Sequence, residues 1–320
     1  MAGLTTTCNA CRSALFLWAV VLAVSTLPLV AVGGLVTSTS SGMADPDWHF
    51  TPFKLLTAAG WAEMGSNVAL MIEHSHRQIG YLVGMLAIGL AVGCLCCQAG
   101  SKRWLGLIVL LAVSAQGALG AFRIKLHAWF GPEFALIHGI TGQLVFVLIV
   151  AAALWLSSGW ARRETIEEVR ASKVRRLALL AFLMAVVQLV SGATLRHLGG
   201  DLLLAVHLFF AVAVAVHVML VWGFTLNQAS GLLRWPAALA LMVLGLQVLL
   251  GFGAWWAGGG YPAQEARDLT QARIALTTSH QTLGAVLLAT LAVVWLRSRH
   301  HLPTAAGQSA NSTQIAGVSP

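Results

Sequence analysis

The sequence predicts an all-α membrane protein whose eight transmembrane helices form two pseudo-symmetric four-helix bundles. Of its 320 residues, 58% are hydrophobic and only 9% are charged, and its mean hydropathy is +0.80. Such usage lies far outside that of soluble proteins. Eight apolar runs are long enough to cross a bilayer, which takes roughly 20 helical residues. Four of these runs open with a histidine in the same register.

The spans are predicted, in chain order, at about residues 14–33, 73–95, 104–122, 134–156, 175–193, 203–224, 235–254 and 275–296. Continuous apolar runs of this length indicate helices, because a helix satisfies its own backbone polar groups inside lipid. The first run is too long and too weakly flanked by charge for a cleaved signal peptide. We therefore expect it to be the first span.

The chain is expected to divide into two halves of four spans each. The predicted segments are a cytoplasmic N-terminus (1–13), an N-terminal four-helix bundle (14–156), a charged cytoplasmic linker (157–176), a C-terminal four-helix bundle (177–298) and a disordered cytoplasmic tail (299–320). A Gln-x-x-x-Gly pattern recurs in spans three, five and seven, as Gln116–Gly120, Gln188–Gly192 and Gln247–Gly251. Close helix packing alone explains such a pattern, but together with the histidine repeat it supports an internal duplication.

The distribution of Lys and Arg predicts the orientation in the membrane. With both termini on one side, most basic residues fall on that side, including Arg162, Arg163, Arg170, Arg175 and Arg176. Because cytoplasmic loops carry the excess of positive charge, we expect both termini in the cytoplasm of a multi-pass bacterial inner-membrane protein. The net charge of +8 then mostly reflects basic residues that flank the spans and contact lipid. Nucleic acid is not an expected partner.

The five cysteines are predicted to be incidental cytoplasmic thiols. Cys8 and Cys11 form a single C-x-x-C, and Cys94, Cys96 and Cys97 end the second span. Disulfides are uncommon in the cytoplasm, and zinc would need two further ligands that the nearby sequence does not offer.

Four histidines are candidate iron ligands. His76, His138, His207 and His280 each lie just inside an apolar run, and each has Gly or Ala four residues later. Positions i and i+4 share a helical face, so each face offers an imidazole above a smooth patch on which a flat macrocycle can lie. Imidazole is a common ligand of haem iron, and four such faces predict two haem sites. A lone histidine would more often be a hydrogen-bonded core residue.

The remaining histidines fail this test. His74 has Gln78 in the i+4 position, and His217 lies deep in span six, where a packed core histidine is the expectation. The others are assigned to loops or to solvent: His49, His127, His197, His300 and His301.

Glu73 shares a helical face with His76 and Arg77. An ion pair between Glu73 and Arg77 at the interface is one explanation for a carboxylate at the start of a span. The alternative is a carboxylate beside the macrocycle that handles a proton or stabilises positive charge. Arg77, Arg123 and Arg196 lie near the outer surface, where guanidinium groups suit haem propionates, although exposed loop arginines remain an alternative.

The stretch Glu73-His-Ser-His76-Arg77 resembles the Glu-x-x-His-Arg motif of the haem A synthase family. The long first outer loop, from Gly33-Gly-Leu-Val-Thr-Ser-Thr-Ser-Ser-Gly42 to Pro46-Asp47-Trp48, is similar to that family's first loop, and the histidines that open spans four, six and eight also match. The resemblance covers about residues 14–298. Unlike some members, this chain has no cysteine pair in the first outer loop, and no Arg follows His280.

The resemblance implies an enzyme that oxidises the C8 methyl of haem O to a formyl, which gives haem A for terminal oxidase assembly. His76 and His138 would ligate the substrate haem, while His207 and His280 would ligate the iron of a haem b cofactor. Glu73 would be the catalytic carboxylate, with Arg77 and Arg123 as substrate-binding residues. The implied partners are haem O, the haem O synthase, the terminal oxidase assembly pathway and an electron acceptor that the sequence does not identify.

Oxygen cannot bind a substrate iron that two histidines already ligate. The expected mechanism is therefore electron withdrawal from the methyl group, followed by attack of water on the resulting cation. Two alternatives stay open at this point. The first is a non-catalytic di-haem b protein that passes electrons in the membrane, and the second is a transporter without a metal.

Overall fold

The computed structural model describes residues 2–45, 57–130, 133–161, 168–226, 231–260 and 270–302, without the side chains of 2–10, 64, 123–130, 161, 168 and 169. Within these ranges the chain forms nine α-helices and no β-strand. The helices are α1 (Ala2–Ser38), α2 (Ala58–Ser66), α3 (Val68–Cys97), α4 (Leu105–Phe130), α5 (Glu133–Leu156), α6 (Glu168–Leu198), α7 (Asp201–Thr225), α8 (Gly231–Ala257) and α9 (Gln271–His301).

All eight predicted spans are confirmed as long apolar helices. Every helix except the short α2 is long and apolar enough to cross a bilayer. The large apolar side chains that remain exposed on them, such as Leu202, Trp235 and Trp256, fit a surface that faces lipid. The chain is therefore a multi-pass membrane protein of the all-α class.

The helices extend beyond the predicted spans at several ends. Helix α1 continues to Ser38, so the first residues of the expected outer loop are helical. The Thr37 hydroxyl donates to the Gly33 carbonyl at 3.2 Å, and the Thr39 hydroxyl donates to the Leu35 carbonyl at 2.8 Å. The Leu35 carbonyl also accepts from the backbone N–H of Thr39 at 2.9 Å, so the hydroxyl groups add to the backbone bonds of the last turns. Likewise α6 begins at Glu168, inside the expected linker.

In the first half of the chain, four long helices pack around one core. Helix α1 contacts α3 and α5, and α4 contacts the same two helices, which closes a ring. The Trp18 indole donates to the Leu86 carbonyl at 2.8 Å and ties α1 to α3. At Gly106 an added Cβ would lie 2.6 Å from the Ala91 Cα. Only glycine therefore lets α4 approach the backbone of α3 this closely.

A second ring comprises α6, α7, α8 and α9. The largest cluster of buried side chains lies here and includes Val218, Leu288 and Leu291. Helix α9 also contacts α1 and α5, and α5 contacts α6, so these helices form the seam between the two rings. The hydroxyl groups of Ser38 on α1 and Thr278 on α9 are 3.2 Å apart across this seam.

Two expectations about the predicted cytoplasmic side are wrong. Cys11 and Cys97 are not incidental thiols, because a disulfide joins them and links α1 to α3. Their Cα atoms are 6.3 Å apart, which helix packing rather than sequence spacing determines. His301 is buried, with 1% of its surface exposed, and His300 stacks on Trp160 at a centroid distance of 4.0 Å. These contacts bury His301 and cover part of His300. The predicted tail beyond residue 302 lies outside the described residues.

Candidate haem-binding sites

The four candidate histidines meet in two pairs, one in each ring of helices. His76 on α3 faces His138 on α5, with ring centroids 6.4 Å apart and ring planes at 85°. His207 on α7 faces His280 on α9, with centroids 6.3 Å apart and planes at 73°. Residues from different helices, 62 and 73 positions apart in the chain, thus reach almost the same separation twice.

This separation matches two imidazoles on opposite sides of one iron. A metal–imidazole bond is about 2 Å long, and the ring centroid lies roughly 1 Å further, which gives a centroid distance of about 6 Å. Among the described residues, no three His, Cys, Asp or Glu side chains gather as a cluster for a bare metal ion. A pair of histidines is the donor set of a six-coordinate haem, whose other four ligands belong to the porphyrin.

Each imidazole lies against a glycine of the preceding span. A Cβ added at Gly33, Gly120, Gly192 or Gly251 would lie 2.9, 3.4, 2.7 and 2.8 Å from the Cε1 atoms of His76, His138, His207 and His280, respectively. Ordinary contacts of a Cβ are longer than three of these four distances. The glycines therefore shape the surface on which the rings rest, which gives the Gln-x-x-x-Gly repeat a role in these sites.

Hydrogen bonds fix the tautomer of both histidines in the second pair. His280 Nδ1 donates to the Gln247 carbonyl at 3.0 Å. The Ser191 hydroxyl donates to the Gln188 carbonyl, so its oxygen accepts from His207 Nδ1 at 3.2 Å. With Nδ1 protonated, Nε2 of each ring keeps the lone pair that ligates a metal.

Glutamine amides lie at the metal-binding nitrogens of this second pair. The Nε2 atoms of Gln188 and Gln247 lie 3.2 and 3.4 Å from the Nε2 atoms of His207 and His280. Since these ring nitrogens are acceptors, the amides donate to the lone pairs that iron would use. Both amides are thus placed to contact a macrocycle bound between the rings.

Glu73 is buried in a charged cluster at the start of α3. Its side chain is 4% exposed, and its Oε1 accepts from Arg77 at 2.6 Å. Its Oε2 accepts from the backbone N–H of Asp45 at 2.9 Å. Arg77 also donates to the backbone and side chain of Asp45, and His74 Nε2 lies 3.3 Å from the Asp45 carboxylate. The carboxylate of Glu73 is therefore held in one orientation.

The expected propionate-binding arginines have different surroundings. Arg77 belongs to the Glu73 cluster. Its ion pair with Glu73 is one of the two roles that the sequence suggested for that carboxylate. The side chain of Arg123 lies outside the described residues. Arg196 lies at the seam, where it donates to the Gln281 side chain, to the Gly34 carbonyl at 2.8 Å and to the Ser38 hydroxyl at 2.6 Å.

Some residues around the pairs were not singled out from the sequence. Asp45 had no role there, yet it contacts Glu73, His74 and Arg77. Its signal was weak, because it is one acidic residue in a polar loop whose path the sequence does not fix. His74 was excluded as a ligand and lies in the same cluster. His217 donates through Nδ1 to the Ala213 carbonyl of its own helix at 2.7 Å, as a packed histidine does.

The sequence model of the cytochrome oxidase assembly protein family matches residues 16–206. The chain belongs to this family. The match contains Glu73, His76 and His138, and it ends one residue before His207. The family match therefore includes both histidines of the first pair. The second pair lies outside the match, and only its geometry indicates a haem site.

Curated relatives of the family point the same way. The chain is 26% identical over 212 residues to a protein named "Heme A synthase" from Hyphomonas neptunium, which covers 55% of this chain and 57% of the relative. It is 29% identical over 147 residues to another of that name from Methylobacterium sp., which covers 43% of this chain and 40% of the relative. The chain thus spans about half the length of the curated relatives it matches. The resemblance to the haem A synthase family is confirmed.

Proposed function

We propose that this protein is a haem A synthase, which oxidises the C8 methyl of haem O to a formyl. The observation that carries the proposal is the second occurrence of one geometry, with two imidazole pairs 6.4 and 6.3 Å apart, each ring against a glycine. The pair His76–His138 binds the substrate haem O. The pair His207–His280 binds a haem b, which when present transfers single electrons.

The placement of Glu73 favours this assignment of the two pairs. Within the described residues, the buried carboxylate cluster lies on α3, one turn of helix from His76. Three residues of helix rise about 4.5 Å along its axis, which places Glu73 beside the edge of a macrocycle bound to His76. No comparable carboxylate is buried near the second pair among the described side chains. The first site therefore has the group that a reaction needs, and the second has only ligands.

Both oxygens of Glu73 accept hydrogen bonds, and one comes from a guanidinium. A carboxylate held in this way is suited to stabilise positive charge on the reacting methyl carbon and to orient a water for attack. Conversion of methyl to formyl takes its oxygen from water and releases electrons in two successive two-electron oxidations, with their protons. An acceptor outside the chain takes the electrons, and a haem held by His207 and His280 would be suited to relay them.

The proposal extends to the partners and location. Haem O comes from the enzyme that makes it, and haem A goes to the assembly of a terminal oxidase. We place the chain in a bacterial inner membrane, and the basic residues at the ends of the spans support both termini in the cytoplasm.

Extraction of the bound haems tests the function. Protein purified from cells that supply haem O should release haem b together with haem O and haem A. Haem b alone would instead favour the di-haem electron-transfer protein, and a colourless protein from haem-replete cells would favour a transporter.

A matched pair of variants tests Glu73. Glu73→Gln should abolish haem A formation and keep the haem b spectrum, whereas Glu63→Gln changes an exposed glutamate of α2 and should leave both intact. Normal haem A output from Glu73→Gln would remove this carboxylate from the mechanism.

A further inference from the structure

A cavity of about 150 Å³ lies at the seam between the two rings of helices. Three helices or their ends line it: the C-terminal end of α1, the end of α6 and the first turns of α9. The lining residues are Thr37, Ser38, Ser40, Arg196, Arg273, Ile274 and Thr277. Among these described residues two are cationic, four carry hydroxyl groups and none is acidic, which suits an anion.

The charge of Arg196 is not neutralised by its described partners. The atoms that accept from its guanidinium belong to Gln281, Gly34 and Ser38, and all three groups are neutral. Arg196 itself is partly buried. A partly buried cation whose acceptors are neutral favours the entry of an anion.

The cavity lies one helical turn outward from the second histidine pair. Arg196 follows Gly192, which rests against His207, by four residues, and Thr277 precedes His280 by three. At 1.5 Å per residue these offsets are about 4.5 to 6 Å. The offsets along α6 and α9 are similar, so the cavity lies beside the rim of a macrocycle held by the second pair.

We propose that this cavity binds a carboxylate, supplied by a propionate of the porphyrin between His207 and His280. Arg196 donates to the carboxylate, and the hydroxyl groups of Ser38 and Thr277 complete its hydrogen bonds. This inference rests on the part of the proposed function that places a porphyrin at the second pair. It does not require the oxidation of haem O, so the two can fail separately.

The haem of the second pair is identified as the one that His280→Ala loses. The test is the midpoint potential of this haem in the other variants. A guanidinium beside a propionate offsets its negative charge and favours the reduced iron, so Arg196→Gln should shift this potential downward and weaken haem retention. Arg170→Gln is the matched control, because Arg170 lies on the same helix about 40 Å away and donates to the Phe224 carbonyl. It should leave the potential unchanged. Equal potentials in the wild type and Arg196→Gln would overturn the proposal.

Haem with both propionates methylated identifies the source of the carboxylate. Loaded into the wild type, this dimethyl ester should be retained less well than haem, and Arg196→Gln should weaken its retention no further. Equal retention of the two haems by the wild type would overturn the proposal even if the variant failed to fold. A saturable response to acetate of the wild type loaded with ordinary haem, absent from Arg196→Gln, would refute the propionate as the occupant, because a propionate in the site would exclude acetate. A shift confined to the haem lost in His76→Ala would reassign the propionate to the first pair and overturn the assignment to the second.

Discussion

The glycines behind the histidines give a quantitative test of the two sites. At Gly251 on α8, an added Cβ would lie 2.8 Å from His280 Cε1 and 3.2 Å from His280 Nδ1. Ordinary contacts of a Cβ begin near 3.4 Å, so Gly251→Ala forces the imidazole to retreat by about 0.6 Å. The ring is also held through Nδ1 to the Gln247 carbonyl, which limits how it can move.

A displacement of this size affects ligation much more than folding. Metal–ligand distances in proteins hold to within about 0.2 Å, and disturbing a group that orients a ligand costs about 10- to 100-fold in metal affinity. We expect Gly251→Ala to lose second-pair haem to this extent. Its free energy of unfolding should change by no more than about 1 kcal/mol. Alanine favours the helix over glycine by about that amount, and this gain offsets the strain.

Gly245→Ala is the matched control on the same helix. A Cβ at Gly245 meets no atom within 4 Å, so this variant should bind haem as the wild type does and be slightly more stable. The assays are the haem-to-protein ratio, the reduced-minus-oxidised spectrum and the thermal midpoint of purified protein. If both variants bound haem equally, the reasoning that links α8 to the orientation of His280 would be refuted.

Three further predictions concern residues away from α8. Glu73→Gln should retain the ion-pair partner Arg77 and the fold, and lose haem A in pigment extracts. Arg77→Leu leaves the buried Glu73 charge without its guanidinium and should cost about 3–5 kcal/mol of unfolding free energy, measured in denaturant, whereas Asp45→Asn should cost less because the backbone bonds of residue 45 persist. Reduction of the Cys11–Cys97 disulfide should lower stability by about 2–4 kcal/mol, and a Cys11→Ser variant should show no response to reductant.

The number and order of the spans followed directly from the sequence. A run of apolar residues long enough to cross lipid has one stable backbone solution, so composition and length decide it. The ends were less predictable. Helix α1 passes through Gly33 and Gly34 because these residues pack against His76 and Gln281, and a pair of glycines alone would favour a loop.

The four histidines could be singled out because their register repeats, which is a local property of each helix. Their pairing could not, since it depends on which helices close each ring. The disulfide between Cys11 and Cys97 was not predicted for the same reason. Asp45 was missed because its role depends on the path of the chain after α1, where it meets Arg77 across 32 residues.

The repeated unit of the molecule is a pair of adjacent spans, and its one exception distinguishes the two sites. The spans α4, α6 and α8 each carry a glutamine four residues before the glycine, and α1 carries Leu29 in that place. A Cβ at Gly80, one turn beyond His76, would lie 4.0 Å from Leu29 Cδ1. At the second pair, two amides reach the ring nitrogens, whereas the first site has an apolar wall on one side.

Under the proposed function, this difference suits a first site that releases its product and a second site that retains its cofactor. Leu29→Gln should therefore make the first site resemble the second and raise the fraction of haem A that stays bound through purification. Leu27→Gln is a control on the same helix, since Leu27 packs against the core of the second ring. Pigment analysis of the two variants measures the effect. Position 29 is the one of the four equivalent positions that does not carry Gln. An unchanged haem A fraction in Leu29→Gln would therefore refute the link between these glutamines and haem retention.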